Sequence, residues 1–244
     1  MAHTLPVLLF AAAAAFAQPQ FEVASVKPTP KEAGGRGGNP FDTNIKETPG
    51  GVTMRGVTLK GAMEWAYHVF AYQITGPDWV DSDRFEIAAK TPGPASDDAV
   101  RAMTQALLAD QFGLKFHRQT KEMQAYVLSV GPNGPKFKAS TEEGEADIQP
   151  DKKTMSITVR RMPLAQIIDP LSRMFQAPVV DGTGLTGKYD VQLNVAKYVA
   201  NVGPDRGVDP ISIIQMALKQ DLGLKLEQKK MPVDLLVIDH AQKP

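Results

Sequence analysis

Residues 106–116 read ALLADQFGLKF, and residues 217–226 read ALKQDLGLKL. In each stretch an Ala-Leu pair precedes an aspartate, and the aspartate precedes a Gly-Leu-Lys triplet flanked by large apolar residues. A helix that ends at its glycine and continues into a strand explains this pattern, because glycine readily adopts the left-handed conformation found after helix ends. The sequence therefore predicts the same helix-to-strand junction twice.

The resemblance between these two regions extends upstream of the junction. The segment Arg-Phe-Glu-Ile at 84–87 matches Lys-Tyr-Asp-Val at 188–191. On this alignment residues 57–91 and 97–130 correspond to 162–196 and 211–240. Repeated patterning of this kind indicates two copies of one structural unit. We expect an α+β fold, a tandem duplication of a strand-helix-strand-strand-helix-hairpin unit with its helices packed on an antiparallel or mixed sheet.

Local signals refine the predicted elements. Thr58 and Ser96 are suited to cap two helices in the first half, and Pro170 should kink or split the corresponding helix of the second half. The hairpins are predicted at 114–120 with 126–130 and at 223–229 with 233–239. The predicted organisation is a signal peptide at 1–17, an N-terminal strand and flexible loop at 18–50, a first half at 51–130, a linker at 131–153 and a second half at 154–244.

The N-terminus has the pattern of a secretory signal. Leu5 to Phe16 is an apolar run, and Ala15-Phe16-Ala17 is a small-x-small cleavage motif. We expect cleavage after Ala17, release into the periplasm or the extracellular space, and no membrane span in the mature protein. A buried N-terminal helix is the alternative.

Composition excludes several classes of function. The chain has no cysteine, which excludes disulfides, thiolate catalysis and cysteine-based zinc sites. It carries 27 basic and 27 acidic residues, so its charge gives no reason to expect nucleic acid as a partner. No cofactor motif occurs, and we predict neither a cofactor nor a metal. The expected partner is an unidentified ligand or protein of the envelope or the extracellular space.

The densest group of carboxylates lies in the loop at 76–83. Trp79, Asp81 and Asp83 are the residues there that we expect to contact a ligand, together with the adjacent Arg84. Calcium is an alternative occupant, although the spacing and central glycine of an EF-hand are absent. A third interpretation is a turn, since aspartate and serine are common in turns.

His117 is the fifth candidate ligand-binding residue. It alternates with apolar residues in Lys115-Phe116-His117-Arg118, which also fits the polar face of a strand. Together with the carboxylates, His117 motivates an alternative function, a secreted hydrolase acting on cell-wall or polysaccharide material. No serine-nucleophile motif is present, and we therefore assign no catalytic residue and favour a non-enzymatic binding, sensor or interaction module.

Several motifs also resemble those of a known family. They are FEVASVKP at 21–28, GPDW at 76–79 followed by DRF at 83–85, LKFHR at 114–118, GPK at 134–136, LTGKYD at 185–190, and GLKLE through VIDH at 223–240. This set is similar to a soil-associated family of secreted bacterial proteins of unknown function, present in many paralogues per genome. The resemblance implies export and brings no catalytic residue with it. Some members are fused to membrane metallopeptidases of the penicillin-sensing antirepressor kind, which implies a sensor or binding role.

Overall fold

The computed structural model describes residues 19–30, 44–151, 154, 156–194, 196–200 and 210–244. Within them the chain forms six α-helices and three four-stranded sheets, which confirms the α+β class. The predicted signal peptide lies outside the described residues. The elements in chain order are β1 Val23–Pro28, β2 Ile45–Thr48, β3 Gly51–Thr58, α1 Leu59–Tyr67, β4 Ile74–Thr75, α2 Trp79–Ser82, β5 Arg84–Lys90, α3 Asp97–Gln111, β6 Lys115–Val130, β7 Lys138–Ala139, β8 Asp147–Asp151, β9 Ser156–Pro163, α4 Leu164–Phe175, β10 Val179–Asp181, β11 Lys188–Asn194, α5 Ala196–Ala200, α6 Pro210–Ala217 and β12 Leu224–His240.

The chain divides into two compact units. Unit 1 takes residues 1–68, 78–115 and 240–244, and unit 2 takes residues 69–77 and 116–239. Unit 1 contains sheet 1, in the strand order β1-β5-β3-β2. Unit 2 contains sheet 2, ordered β10-β6-β12-β4, and sheet 3, ordered β7-β11-β9-β8.

Sheet 1 is antiparallel and carries a bulge in β3. The pairing of β3 with β5 shifts between Met54 and Val57, so β3 has one residue more than its partner. That irregularity contains Gly56, which has a left-handed φ of 56°. The N–H of Gly56 donates to the Glu86 carboxylate at 2.9 Å, which satisfies a donor that the bulge removes from the ladder.

Sheet 3 is antiparallel and has a bulge of the same kind in β9. The pairing of β9 with β11 shifts between Tyr189 and Val191. The residue in the left-handed conformation is Arg161, with φ 54°. Its N–H donates to the Asp190 carboxylate at 2.9 Å.

Two helices of unit 1, α1 and α3, begin at the caps that the sequence predicts, and α1 ends at Tyr67, earlier than its apolar spacing through Phe70 indicated. The Thr58 hydroxyl accepts from the N–H of Gly61 at 3.0 Å and caps α1. Ser96 caps α3 through the N–H of Ala99, and Gly113 follows that helix with φ 54°. The two helices pack against each other. Their buried faces and sheet 1 form a core whose largest fully buried side chains include Met54, Leu59, Met63, Ile87, Leu108 and Phe112.

Unit 2 has its own core beneath α4 and α6. α4 contains Pro170 and is not split there. After α6 the chain makes a π-helical turn at Leu218–Leu222, which ends at Gly223 with φ 67°. The core contains Tyr126, Leu128, Val159, Met162, Leu164, Ile168, Phe175, Tyr189, Val191, Ile214, Leu218, Leu222 and Leu224.

The two predicted hairpins are wrong, because each is a single long strand. β6 has 16 residues and β12 has 17. The run 121–125 contains no glycine, proline, asparagine or aspartate that would favour a turn, so β6 stays extended. Pro232 is accommodated in β12 because β4 pairs with that strand further along, at Leu236 and Val237.

Two short parallel strands complete sheet 2. In β4, Ile74 lies opposite Leu236 of β12, and in β10, Val179 lies opposite Tyr126 of β6. Strand β10 was not predicted, since three residues are too few to show a periodicity.

Regular structure also occurs where loops were expected. β2 forms at the end of the predicted N-terminal loop, and α2 forms in the loop at 76–83. The predicted linker 131–153 contains β7 and β8, which pair with β11 and β9. Among the described residues, none of the helices combines the length and the apolar character needed to cross a membrane.

Candidate functional site

A pocket of about 670 Å³ lies in unit 2, where the turn after β6 passes the start of β12. Its size is within the range of about 300–1,000 Å³ found for small-molecule sites. Two chain segments and the π-helical turn supply its wall. The lining residues are Gly131, Pro132, Asn133, Lys136, Lys219, Gln220, Gly223, Leu224 and Lys225.

Backbone contacts fix the frame of this pocket. The N–H of Gly131 donates to the carbonyl of Gly223 at 2.8 Å, and the N–H of Lys136 donates to the carbonyl of Leu222 at 2.9 Å. A Cβ at position 223 would lie 2.3 Å from the Gly134 carbonyl oxygen. Glycine is therefore required at 223 for the close approach of the two segments as well as for its positive φ.

Three lysines give the pocket a basic character. Lys136, Lys219 and Lys225 line it, and no acidic residue is part of the described lining. The sequence did not predict this site, because residues 131–153 have the composition of a linker. A usable signal was present: glycine-bounded turns at 131–134 and at 223 are each followed within two residues by a lysine.

The candidate residue Trp79 begins α2 in unit 1 and is partly buried. Its ring meets the ring of Phe85 edge-on, with centroids 6.4 Å apart. The Lys243 ammonium lies 5.8 Å from the centroid of the Trp79 ring. Trp79 therefore joins the apolar core of unit 1 to the surface, and the C-terminal residues of the chain supply one of its contacts.

The carboxylates of the same loop engage different lysines. Asp81 accepts from Lys60 at 3.1 Å, and Asp83 pairs with Lys243 at 2.5 Å. The hydrogen bond from Lys243 lowers the pKa of Asp83. In the part of the chain that the structure describes, no three metal-ligating side chains of histidine, aspartate or glutamate are grouped to hold a metal ion.

Arg84 acts on the backbone of sheet 1. Its Nη1 donates to the Gly56 carbonyl at 2.7 Å, so Arg84 binds the carbonyl of the bulge residue whose N–H is bound by Glu86. This contact gives Arg84 a structural role that does not depend on a ligand.

His117 lies in unit 2, whereas the other four candidates lie in unit 1. Its Nδ1 is 2.8 Å from the Asp239 carboxylate, and both side chains are about half exposed, at 52 % and 50 %. A histidine oriented by a carboxylate can transfer protons.

A further polar cluster in unit 1 was not predicted. The Arg101 guanidinium stacks 4.4 Å from the centroid of the Trp65 ring and donates to the Trp65 carbonyl. Glu47 of β2 is 3.8 Å from Arg101, and its Oε1 has no hydrogen-bond partner among the described residues. Burial raises the pKa of Glu47. Nothing in the sequence indicates that Glu47 is partly buried, and the segment that forms β2 was predicted to be part of a flexible loop.

A family model described as "Protein of unknown function (DUF3738)" covers residues 60–241. No curated protein and no solved structure matches the chain. The matched range includes the pocket, the loop at 76–83 and the His117–Asp239 pair.

Proposed function

We propose that this chain, which belongs to the DUF3738 family of proteins of unknown function, is a non-enzymatic binding module that works outside the cytoplasm. Its ligand site is the pocket of unit 2. The partner is a ligand or protein of the envelope or the extracellular space.

The observation that carries this proposal is the pocket itself. It has the volume of a ligand site, and its frame is held by main-chain hydrogen bonds that require no ligand. Preformed pockets of this kind lose little conformational entropy on binding. The loop at 76–83 supports the proposal less, because Asp81 and Asp83 already have lysine partners within the chain.

We also propose that the scaffold arose by tandem duplication. Sheets 1 and 3 have corresponding strand orders, and each has one bulge whose N–H donates to a carboxylate. In sheet 2 the parallel pairs Ile74–Leu236 and Val179–Tyr126 follow the same offsets as the sequence alignment. Residues that repeat in this manner serve the fold. Of the pocket lysines, Lys225 belongs to the repeated Gly-Leu-Lys triplet, whereas Lys136 lies outside the aligned ranges and Lys219 matches no lysine in the first half.

Export through a signal peptide at 1–17 is part of the proposal. The apolar run and the Ala15-Phe16-Ala17 motif support it. Expression of the full-length chain in a bacterial host should yield an N-terminus at Gln18, which Edman sequencing or mass spectrometry would identify. A processed form beginning elsewhere, or an unprocessed chain in the cytoplasm, would contradict it.

The function is tested by a thermal-shift screen of the purified protein against anionic, neutral and cationic sugars, peptides and peptidoglycan fragments. A ligand at a hundred times its Kd adds about 2.7 kcal/mol of stability, which raises the melting temperature by several degrees. Asn133→Trp should block the pocket and abolish the shift. Glu143→Trp, an exposed site in the same unit outside the pocket lining, is the matched control and should preserve it. A shift that survives Asn133→Trp would move the site elsewhere.

The hydrolase alternative uses the His117–Asp239 pair and makes a different prediction. Turnover of a polysaccharide or cell-wall substrate should then fall sharply in His117→Ala and stay unchanged in Asn133→Trp. If the protein is a binding module, His117→Ala should leave ligand binding unchanged, because the His117–Asp239 pair lies outside the pocket lining.

A further inference from the structure

The three lysines of the pocket differ in what their ammonium groups already bind. Lys136 is committed to the fold, since its Nζ donates to the Gln220 carbonyl at 2.8 Å while its backbone N–H donates to the Leu222 carbonyl. These bonds satisfy carbonyls that the end of the π-helical turn would otherwise leave free. They also counter the partial negative charge of a helix C-terminus, which would disfavour an anion.

Lys225 is held by an exposed pair that can rearrange. Its Nζ lies 2.6 Å from Glu227, and the two side chains are 57 % and 40 % exposed. Lys225 and, more weakly, Lys229 lower the pKa of Glu227. An exposed pair of this kind contributes little to stability, so Lys225 can turn towards a ligand at little cost.

The Lys219 ammonium makes no ion pair or hydrogen bond with any described residue. The acidic residue nearest to it in the sequence, Asp221, is used by Lys197 and by the Tyr198 hydroxyl. The side-chain amide of Asn133, also in the pocket lining, makes no hydrogen bond within the described part of the chain. The Lys219 ammonium, the Lys225 ammonium with its exposed partner Glu227, and the amide of Asn133 thus border the same cavity.

We propose that this pocket binds an oxyanion, a phosphate or carboxylate group of its ligand, with Lys219 and Lys225 as the charged contacts and Asn133 as a neutral donor. This inference rests on the proposed binding function and adds the chemical class of the ligand. Ammonium groups around a preformed cavity form charge-assisted hydrogen bonds with both kinds of oxyanion. The chain has no net charge, and charges beyond about 10 Å are largely screened at 0.1 M salt. The attraction of the pocket for an anion therefore comes from the nearby lysines.

The test is a titration of the purified full-length mature protein, followed by amide NMR and calorimetry. The probes are inorganic phosphate, citrate and oligogalacturonate as anions, maltohexaose as a neutral ligand and spermidine as a cation. We expect an anion to shift the amide signals of residues 131–136 and 219–225, with affinity that decreases as salt increases. Phosphate alone binding identifies phosphate as the group, whereas citrate or oligogalacturonate alone identifies carboxylate.

Substitutions separate the pocket from general electrostatics. The double variant Lys219→Gln with Lys225→Gln should weaken anion binding at least tenfold. Lys60→Gln with Lys243→Gln removes two lysines outside the pocket and should leave binding unchanged.

Two results would overturn the inference in different ways. If maltohexaose or spermidine binds the pocket and the double lysine variant binds it equally well, the pocket is a ligand site but its ligand is not an anion. If none of the probes shifts these signals and the broader thermal-shift screen also finds no ligand blocked by Asn133→Trp, the proposed binding function fails as well.

Discussion

The bulged strand pairs of sheets 1 and 3 have the same backbone geometry with different residues. Gly56 and Arg161 both occupy the left-handed region, at φ 56° and 54°, and each N–H donates to a carboxylate at 2.9 Å. The carboxylate comes from Glu86 in one sheet and from Asp190 in the other. The comparison teaches that the bulge depends on a backbone donor and an acidic acceptor, and that the residue at its apex can vary.

The difference between the two bulges lies in what secures them. Gly56 adopts its conformation without strain, whereas a side chain in that region costs about 1 kcal/mol. Arg161 offsets that cost with its side chain, whose Nε donates to the Glu145 carbonyl at 2.8 Å and whose Nη1 pairs with Glu142 at 3.0 Å. The bulge of sheet 3 therefore also fixes the acidic segment that precedes β8.

The largest expected contrast concerns the aromatic residues beside the bulges. Phe85 is 2 % exposed and packs on Phe112 with ring centroids 5.0 Å apart, so Phe85→Ala should cost about 3–5 kcal/mol. Tyr189 packs on the partly buried Phe137, so we expect a smaller loss from Tyr189→Ala. Urea unfolding measures both. Circular dichroism is the probe, because both tryptophans lie in unit 1.

Tyr189→Phe is the control for this first comparison. It removes the hydrogen bond from the Tyr189 hydroxyl to the Thr186 carbonyl and should cost about 0.5–1.5 kcal/mol. A larger loss from Tyr189→Ala than from Phe85→Ala would reverse the ranking of the two sites.

The second largest difference in stability is expected between the two acidic residues that accept from the bulges. Glu86 is half-buried and also accepts from the Thr29 hydroxyl at 3.1 Å, so Glu86→Ala should cost about 1.5–3 kcal/mol. Asp190 is exposed, and Asp190→Ala should cost about 1 kcal/mol or less. Chemical denaturation at pH 7 would compare them. Equal losses would mean that burial of the acceptor does not decide its contribution.

The bulge residues provide a third comparison. A Cβ added at Gly56 meets no atom within 4 Å, so Gly56→Ala should cost about 1 kcal/mol from backbone strain alone. Arg161→Ala loses the contacts with Glu142 and Glu145 and keeps the strain, whereas Arg161→Gly loses the contacts and relieves the strain. We expect Arg161→Gly to be more stable than Arg161→Ala by about 1 kcal/mol in thermal unfolding. Equal stabilities would place no strain at Arg161.

The smallest contrast is a pH effect at the outer strands. Glu47 of β2 lies opposite Val52, and the corresponding place in β8, opposite Ile157, is occupied by the uncharged Pro150. Burial raises the pKa of Glu47, so the folded protein holds that proton more tightly than the unfolded chain. This contribution is fully present below the unfolded pKa of about 4.3 and is lost as the pH rises through the raised folded value.

Glu47→Gln should remove that loss of stability between acidic and neutral pH. Urea unfolding at pH 4 and pH 7 would measure it, with the exposed Glu143→Gln as control. A pH dependence identical in wild type and Glu47→Gln would assign the effect to other groups.

Much of the fold could be predicted because its signals are local. The caps Thr58 and Ser96 and the glycines 113 and 223 each act within a few residues, and the helix ends that they mark form as expected. For β6, the lack of turn-favouring residues at 121–125 was a local signal against a hairpin. For β12, Pro232 is compatible with a turn, and the continued strand depends on where its partner β4 pairs. Strand β10 depends on one distant partner, Tyr126 and its neighbours.

The candidate site could be predicted less well for a physical reason. The sequence shows the chemistry of the candidates Asp81, Asp83 and Arg84 but not their contacts. Their partners, which come from other elements, are Lys60, Lys243 and Gly56. The pocket is made by two turns about 90 residues apart in the sequence. Lys136 and Lys225 each follow a glycine by two residues, but no local pattern shows that these two segments meet, and their convergence exists only after folding.

The pairing of Ile74 with Leu236 has a consequence for how the protein is made. Sheet 2 cannot be completed before Leu236 has been synthesised, because β4 pairs with β12 at that residue. In unit 1, the N–H of Gln242 donates to the carbonyl of the distant Phe112. Both units therefore depend on long-range pairs, and such pairing is slow. Slow completion of the sheets leaves time for a chain to be threaded through a translocation channel, which suits the proposed export.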